Sequence, residues 1–133
     1  MSNFVLFETL IRSAKPNTYL VAPDGLCQKS KPDAPSPSLR ANPKQVYDQI
    51  ADIIASERLW KPVAQDPAAL RLKFIARTPL LGFKDDVDIQ VLAPHEGETG
   101  TQIAVYSRSR VGYSDLGANA KRVNKLIEAL TAK

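Results

Sequence analysis

"LRLKFIARTPLLGFKDDVDIQVL", residues 70–92, carries two runs in which apolar and polar residues alternate. In the first, Leu70, Leu72, Phe74 and Ala76 fall on one side and Arg71, Lys73 and Arg77 on the other. In the second, Val87, Ile89 and Val91 alternate with Asp86, Asp88 and Gln90. A period of two is the mark of a strand with one buried face. Pro79 and Gly82 lie between the runs, so the stretch predicts a β-hairpin. A third run, "TQIAVYSRS" (101–109), sends Ile103 and Val105 to the apolar side and Gln102, Tyr106 and Arg108 to the other. Its connection at 93–100 contains Pro94, Gly97 and Gly100, which extends the hairpin into an antiparallel meander.

Aligning the apolar faces pairs Phe74 with Ile89 and Ile89 with Val105. That register places Arg77 and Arg108 on either side of Asp86, and Tyr106 opposite Asp88. A slip of one residue would turn an apolar face to water; shifts of two remain open. Arg77, Asp85, Asp86, Arg108 and Asp115 then read as a structural charge network, each cross-strand pair contributing roughly 0.2–1 kcal/mol. Asp85 and Asp86 are adjacent, so on a strand they face opposite ways and form no like-charge dyad.

Helices flank the strands. In "NPKQVYDQIADIIASERLW" (42–60), Asn42 can cap, Pro43 suits the first helical position, and Val46, Ile50, Ile53 and Ile54 recur at helical spacing. "LWKPVAQD" (59–66) adds a short strand weakened by Pro62, and Trp60 reads as core. At the C-terminal end Leu116, Ala120, Val123, Ile127 and Leu130 form one apolar stripe, with Ser114 or Asp115 as the cap. The expected fold is α+β: a mostly antiparallel meander sheet of about four strands with two main helices packed on one face. Residues 42–133 form this α-β-β-β-β-α core. Residues 1–41 supply a short helix over 4–14 and a Pro-rich irregular segment packed on it, with "TYLVAP" (18–23) as a short edge strand. One structural domain results.

Composition narrows the chemistry. With 133 residues, 44% hydrophobic and 24% charged, the chain has ordinary globular proportions. One cysteine and one histidine cannot supply four zinc ligands, and one cysteine forms no internal disulfide. No metal or cofactor is expected. No apolar run approaches the roughly 18 residues of a spanning helix, so no transmembrane segment is expected. "FVLFETLI" (4–11) is interrupted by Glu8 and makes a poor signal peptide. A soluble, cytoplasmic chain is the default, and a mature exported form stays open. The net charge of +4 sits at the C-terminal end, where Arg108, Arg110, Lys121, Arg122, Lys125 and Lys133 face only Asp115 and Glu128.

"YSRSRVGYSDLG" (106–117) joins the last strand to the last helix. Hydroxyls, guanidinium groups and the free N–H groups of a helix start can together hold an anion. The candidate ligand-binding residues are Arg108, Arg110, Tyr113, Ser114, Asn119 and Arg122. A purely structural corner competes with that reading, because Asp115 can cap the same amides and Arg110 can pair with Asp85, Asp86 or Asp115. Nucleic acid is disfavoured: two Arg-Ser dipeptides make no repeat, and stacking aromatics are sparse. His95, beside Glu96 and Glu98, reads as a solvated loop residue, and Cys27, with no local base, as an inert thiol. No catalytic residue is assigned.

"LLGFKDDVDIQ" followed by "YSRSRVGYSDLGANAKRV" resembles the family known as domain of unknown function 1499, of bacterial and plastid proteins. Its members join a GF-x-DD-V strand start, here Gly82, Phe83, Asp85, Asp86 and Val87, to an SRVGYSDLG-x-N-x-x-RV block. Here the second block runs from Ser109 to Gly117 and ends on Asn119, Arg122 and Val123. Tyr106 stands where many relatives have an arginine. The resemblance implies a shared fold and no assigned chemistry. The functional expectation is a non-enzymatic binding or assembly module with contacts at the 106–122 corner, its partner an unknown protein or a small anionic ligand. A small anionic-ligand binding protein and an enzyme of unknown reaction are the alternatives.

Overall fold

The computed structural model describes residues 4–94 and 99–132. In chain order the elements are β1 (Thr18–Val21), α1 (Pro43–Ser56), β2 (Trp60–Asp66), β3 (Arg71–Arg77), β4 (Lys84–Leu92), β5 (Gln102–Ser109) and α2 (Ala118–Thr131). The strands form one sheet in the order β1-β5-β4-β3-β2, every neighbouring pair antiparallel. β2 to β5 are the expected meander. β1 adds itself beside β5, making five strands where about four were expected.

Local chemistry sets the boundaries. Asn42 Oδ1 accepts from the Gln45 N–H at 2.9 Å while Gln45 Oε1 accepts from the Asn42 N–H at 3.1 Å. This reciprocal cap, with Pro43 following, starts α1. Pro62 is tolerated because β2 is an edge strand, and the pairing is irregular between Pro62 and Ala64. β1 is covered on its outer edge by the Pro-rich segment, whose Asp33 N–H donates to Leu20 O at 2.8 Å.

One face of the sheet carries both helices. Leu72, Phe74, Val87, Ile89, Ile103 and Val105 pack against Val46, Ile50 and Ile54 of α1 and Val123, Leu126 and Leu130 of α2. Trp60 is half-buried and stacks on Phe74 with ring centroids 4.7 Å apart. The opposite face buries a smaller apolar group of Phe7, Leu20, Ala22, Ala104 and Tyr106.

Three expectations are corrected. Phe74 pairs with Val87 rather than Ile89, while Ile89 does pair with Val105. The hairpin loop sets this two-residue shift. Thr78 N–H donates to Phe83 O, and Gly82, at φ 67°, donates to Thr78 O, so the strands meet at Arg77 and Lys84. Residues 4–14 form no helix. Phe7 is buried against the sheet, and the backbone of Val5 is engaged by side chains: its N–H donates to Asp88 Oδ2 and its carbonyl accepts from Arg71 Nη1. Leu116 does not begin the α2 stripe. It precedes the helix at φ 53° and is 92% exposed, and Asn119 is the first residue that α2 buries.

Candidate functional site

Asp85 and Asp86 open β4 and, as adjacent strand residues, face opposite sides of the sheet. Each meets an arginine. On the helix side Arg122 Nη2 lies 2.8 Å from Asp85 Oδ2, and both side chains are almost wholly buried. Arg122 Nη1 also donates to Asn119 Oδ1 at 2.9 Å and to Ser107 Oγ at 3.1 Å. Asn119 is the hub. Its Oδ1 accepts from Ser107 Oγ at 2.6 Å, and its Nδ2 faces Asp115 Oδ2, Asn17 O and Ser109 Oγ within 2.9 Å. Burial pushes the Asp85 carboxyl above its ordinary value, against the opposing pull of Arg122 and a hydrogen bond from Ser109.

Asp115 closes the corner. Its Oδ1 accepts from the Gly117 N–H at 2.8 Å and its Oδ2 from the Asn119 N–H at 3.1 Å. The N-cap position itself is Gly117 rather than Ser114 or Asp115, and Asp115, two residues before that glycine, serves the amides at the start of α2. Burial opposes its charge, but the bonds from Asn119 and the Gly117 amide outweigh burial and hold its carboxyl below the ordinary value.

On the other face Arg110 clasps Asp86 with two bonds of 2.9 Å, which hold that carboxyl below its ordinary value. Arg108 Nη1 donates to Asp88 Oδ1 at 2.8 Å, and its guanidinium lies 5.1 Å from the centre of the Tyr106 ring. The sheet therefore separates the candidate binding residues. Asn119 and Arg122 meet beneath α2, Arg108 and Arg110 are engaged on the opposite side, Ser114 lies on the connecting loop, and Tyr113 is exposed. Within the expected charge network, Asp85 and Asp86 pair with Arg122 and Arg110, Arg108 pairs with Asp88, and Arg77 faces Lys84.

Beside this corner lies a feature that the sequence reading passed over. The β3–β4 loop (78–83) and the β5–α2 loop (110–117) stand together and enclose an open cleft of about 600 Å³. Leu80, Leu81, Phe83, Val111 and Leu116 form its walls, and Asp85, Ser109 and Asp115 also line it. Its signal in the sequence is "TPLLGF" (78–83), an apolar run where a solvated turn would be polar. A second cleft, of about 360 Å³, shares Pro79 with the first and is lined by Arg58, Arg77, Lys121, Arg122 and Lys125, with Glu57.

The remaining reactive side chains lie elsewhere. Cys27 is half-buried, and burial, then the nearby Glu8, pushes its thiol up and away from the thiolate. His95 lies outside the described residues. Among the described residues no His, Cys, Asp and Glu cluster could hold a metal ion, and no helix is long and apolar enough to cross a membrane.

No curated protein matches the sequence. The family described as proteins of unknown function, DUF1499, matches residues 12–130, and it is to this family that the chain belongs.

Proposed function

We propose that the protein is a binding or assembly module that performs no chemistry of its own, and that its contacts are made by the end of the sheet where the 78–83 and 110–117 loops meet. One observation carries this reading. Of the nine large apolar side chains exposed among the described residues, six, namely Leu80, Leu81, Phe83, Val111, Tyr113 and Leu116, belong to these two loops. Scattered exposed apolar residues are ordinary; a contiguous group marks an interaction surface. The buried polar corner beneath supports it. Asp85 pairs with Arg122, Arg122 donates to Asn119 and Asn119 donates to Asp115, a chain that fastens the base of the 110–117 loop, so the apolar tips stand on a fixed platform. Side chains of this kind make contacts by shape and burial, which favours binding over catalysis.

Titration with the apolar dye 1-anilinonaphthalene-8-sulfonate tests the reading. Wild type is expected to enhance the dye's emission, and Leu81→Asp with Leu116→Asp to abolish most of that enhancement without lowering the melting temperature, since both side chains are exposed. Equal enhancement by the double variant would remove these loops as the contact surface.

A further inference from the structure

Leu80 is 98% exposed, Leu116 92% and Leu81 73%. Side chains this exposed contribute almost nothing to folding through burial. Leu116 is, in addition, held at φ 53°, a conformation that costs a residue with a Cβ roughly 1–2 kcal/mol. Two adjacent loop tips thus present leucines outward, one of them at an energetic cost. A small molecule seated in the cleft would leave much of Leu80 and Leu116 in water.

Charge surrounds the tips. Arg77 and Lys84 bracket the 78–83 loop and are register partners, and like charges directly opposite one another destabilise a sheet. Arg58, Arg77 and Lys121 line the basic cleft that adjoins the apolar one at Pro79. Among the described residues Arg58, Arg77, Lys84 and Lys121 enter no ion pair. Apolar tips set in a rim of uncompensated cations match an acyl interior beneath anionic headgroups. A second copy of the chain matches poorly, because symmetric docking on this end would bring the same cations face to face.

Resting on the reading that this end is the contact surface, we propose that it docks peripherally on an anionic lipid bilayer. Leu80, Leu81 and Leu116 enter the acyl boundary, and Arg58, Arg77, Lys84 and Lys121 meet the headgroups. No segment spans the membrane in this arrangement; the loops lie on it.

Co-sedimentation of the full chain with vesicles tests the proposal, using phosphatidylcholine alone and an equimolar mixture with phosphatidylglycerol. Wild type is expected to pellet with the anionic vesicles at low salt, to pellet far less with phosphatidylcholine, and to dissociate as salt rises. Leu80→Asp and Leu81→Asp, at exposed loop positions, are each expected to weaken binding about tenfold or more. Arg77→Gln with Lys121→Gln is expected to weaken it and to flatten the salt dependence. Failure to pellet with either vesicle overturns the proposal, as does binding that the leucine variants leave unchanged, which would be charge attraction without insertion. Should vesicle binding fail while the dye response still depends on Leu81 and Leu116, the contact surface stands and the bilayer is excluded as its occupant. Loss of both dependences removes the surface and the bilayer together.

Discussion

Asp85 and Asp86 are neighbours in sequence and both pair with an arginine, yet they occupy opposite physical regimes. Asp85 is 2% exposed, roofed by α2, and its partner Arg122 is held by Ser107 and Asn119 as well. Asp86 lies on the far face, clasped by Arg110, whose side chain is 45% exposed. Burial pushes the first carboxyl up, and a two-point hydrogen bond holds the second down. A strand that alternates faces can thus place one ion pair in the core and the next in solvent. The buried pair is expected to matter more than the exposed one for the shape of the corner.

The largest effect is therefore expected at the buried pair. Asp85→Ala leaves the Arg122 guanidinium enclosed without its counter-ion, and breaking such a pair typically costs about 3–5 kcal/mol. Chemical denaturation measures it. Asp85→Leu with Arg122→Met, which removes both charges, is expected to recover most of that loss. A single variant as stable as wild type would mean that Arg122 escapes to the adjoining cleft, and the contrast between the two faces would collapse.

Asn119→Ala comes next. It strands Ser107 and Arg122 on one side and unties Asn17 and Asp115 on the other. Leaving buried polar groups unpaired costs about 1–3 kcal/mol, read from the same denaturation curves. Asn119 also joins the platform to the loop. Its loss is expected to raise amide exchange across 110–117, while exchange in the 78–83 loop stays as in wild type.

Much of this was legible before the structure. Alternation identified β3, β4 and β5, the Asn42–Pro43 start identified α1, and the opposite facing of Asp85 and Asp86 followed from the period of two. The partners did not follow. Arg108, Arg110 and Arg122 are equivalent as letters. Which aspartate each reaches depends on the β3–β4 and β4–β5 registers and on the side of the sheet to which α2 returns. Asn119 stood among the candidate anion-binding residues, but its role as a buried hub was not legible, because burial of a polar residue leaves no periodic signal. The 4–14 run misled for the opposite reason. Val5, Leu6 and Leu10 are apolar beside Phe4, Phe7 and Ile11, so its apolar residues fix no single period, and the long-range bonds of Val5 to Asp88 and Arg71 decided its path. Leu116 fitted a helical stripe by spacing, but Asp115 bonds the amides of Gly117 and Asn119 and leaves it outside the helix.

The pH dependence of stability separates the two carboxyls by sign. Asp86 has a folded-state value below the ordinary 3.8, so its contribution is present above 3.8 and is lost as pH falls through the lowered value. Asp85 is raised above 3.8, so the folded state favours its protonated form. Its contribution is greatest below 3.8 and declines as pH rises through the raised value. The stability gap between wild type and Asp86→Asn is expected to shrink as acid is added, and the gap between wild type and Asp85→Asn to widen. Parallel trends would show that the two aspartates share one environment after all.

The smallest effect is expected at the exposed clasp. Arg110 and Asp86 share two bonds of 2.9 Å, but water competes for an arginine that is nearly half exposed. Exposed pairs typically contribute about 0.2–1 kcal/mol, and salt reduces that further. A double-mutant cycle with Arg110→Ala and Asp86→Ala measures the coupling directly, once at low and once at high ionic strength. A coupling below about 1 kcal/mol that declines with salt fits a pair on an open surface. A larger coupling that salt leaves unchanged would mean that the 110–117 loop is fastened from both faces of the sheet. In that case Arg110 would belong with Arg122 and Asn119 among the residues that hold the apolar tips in place.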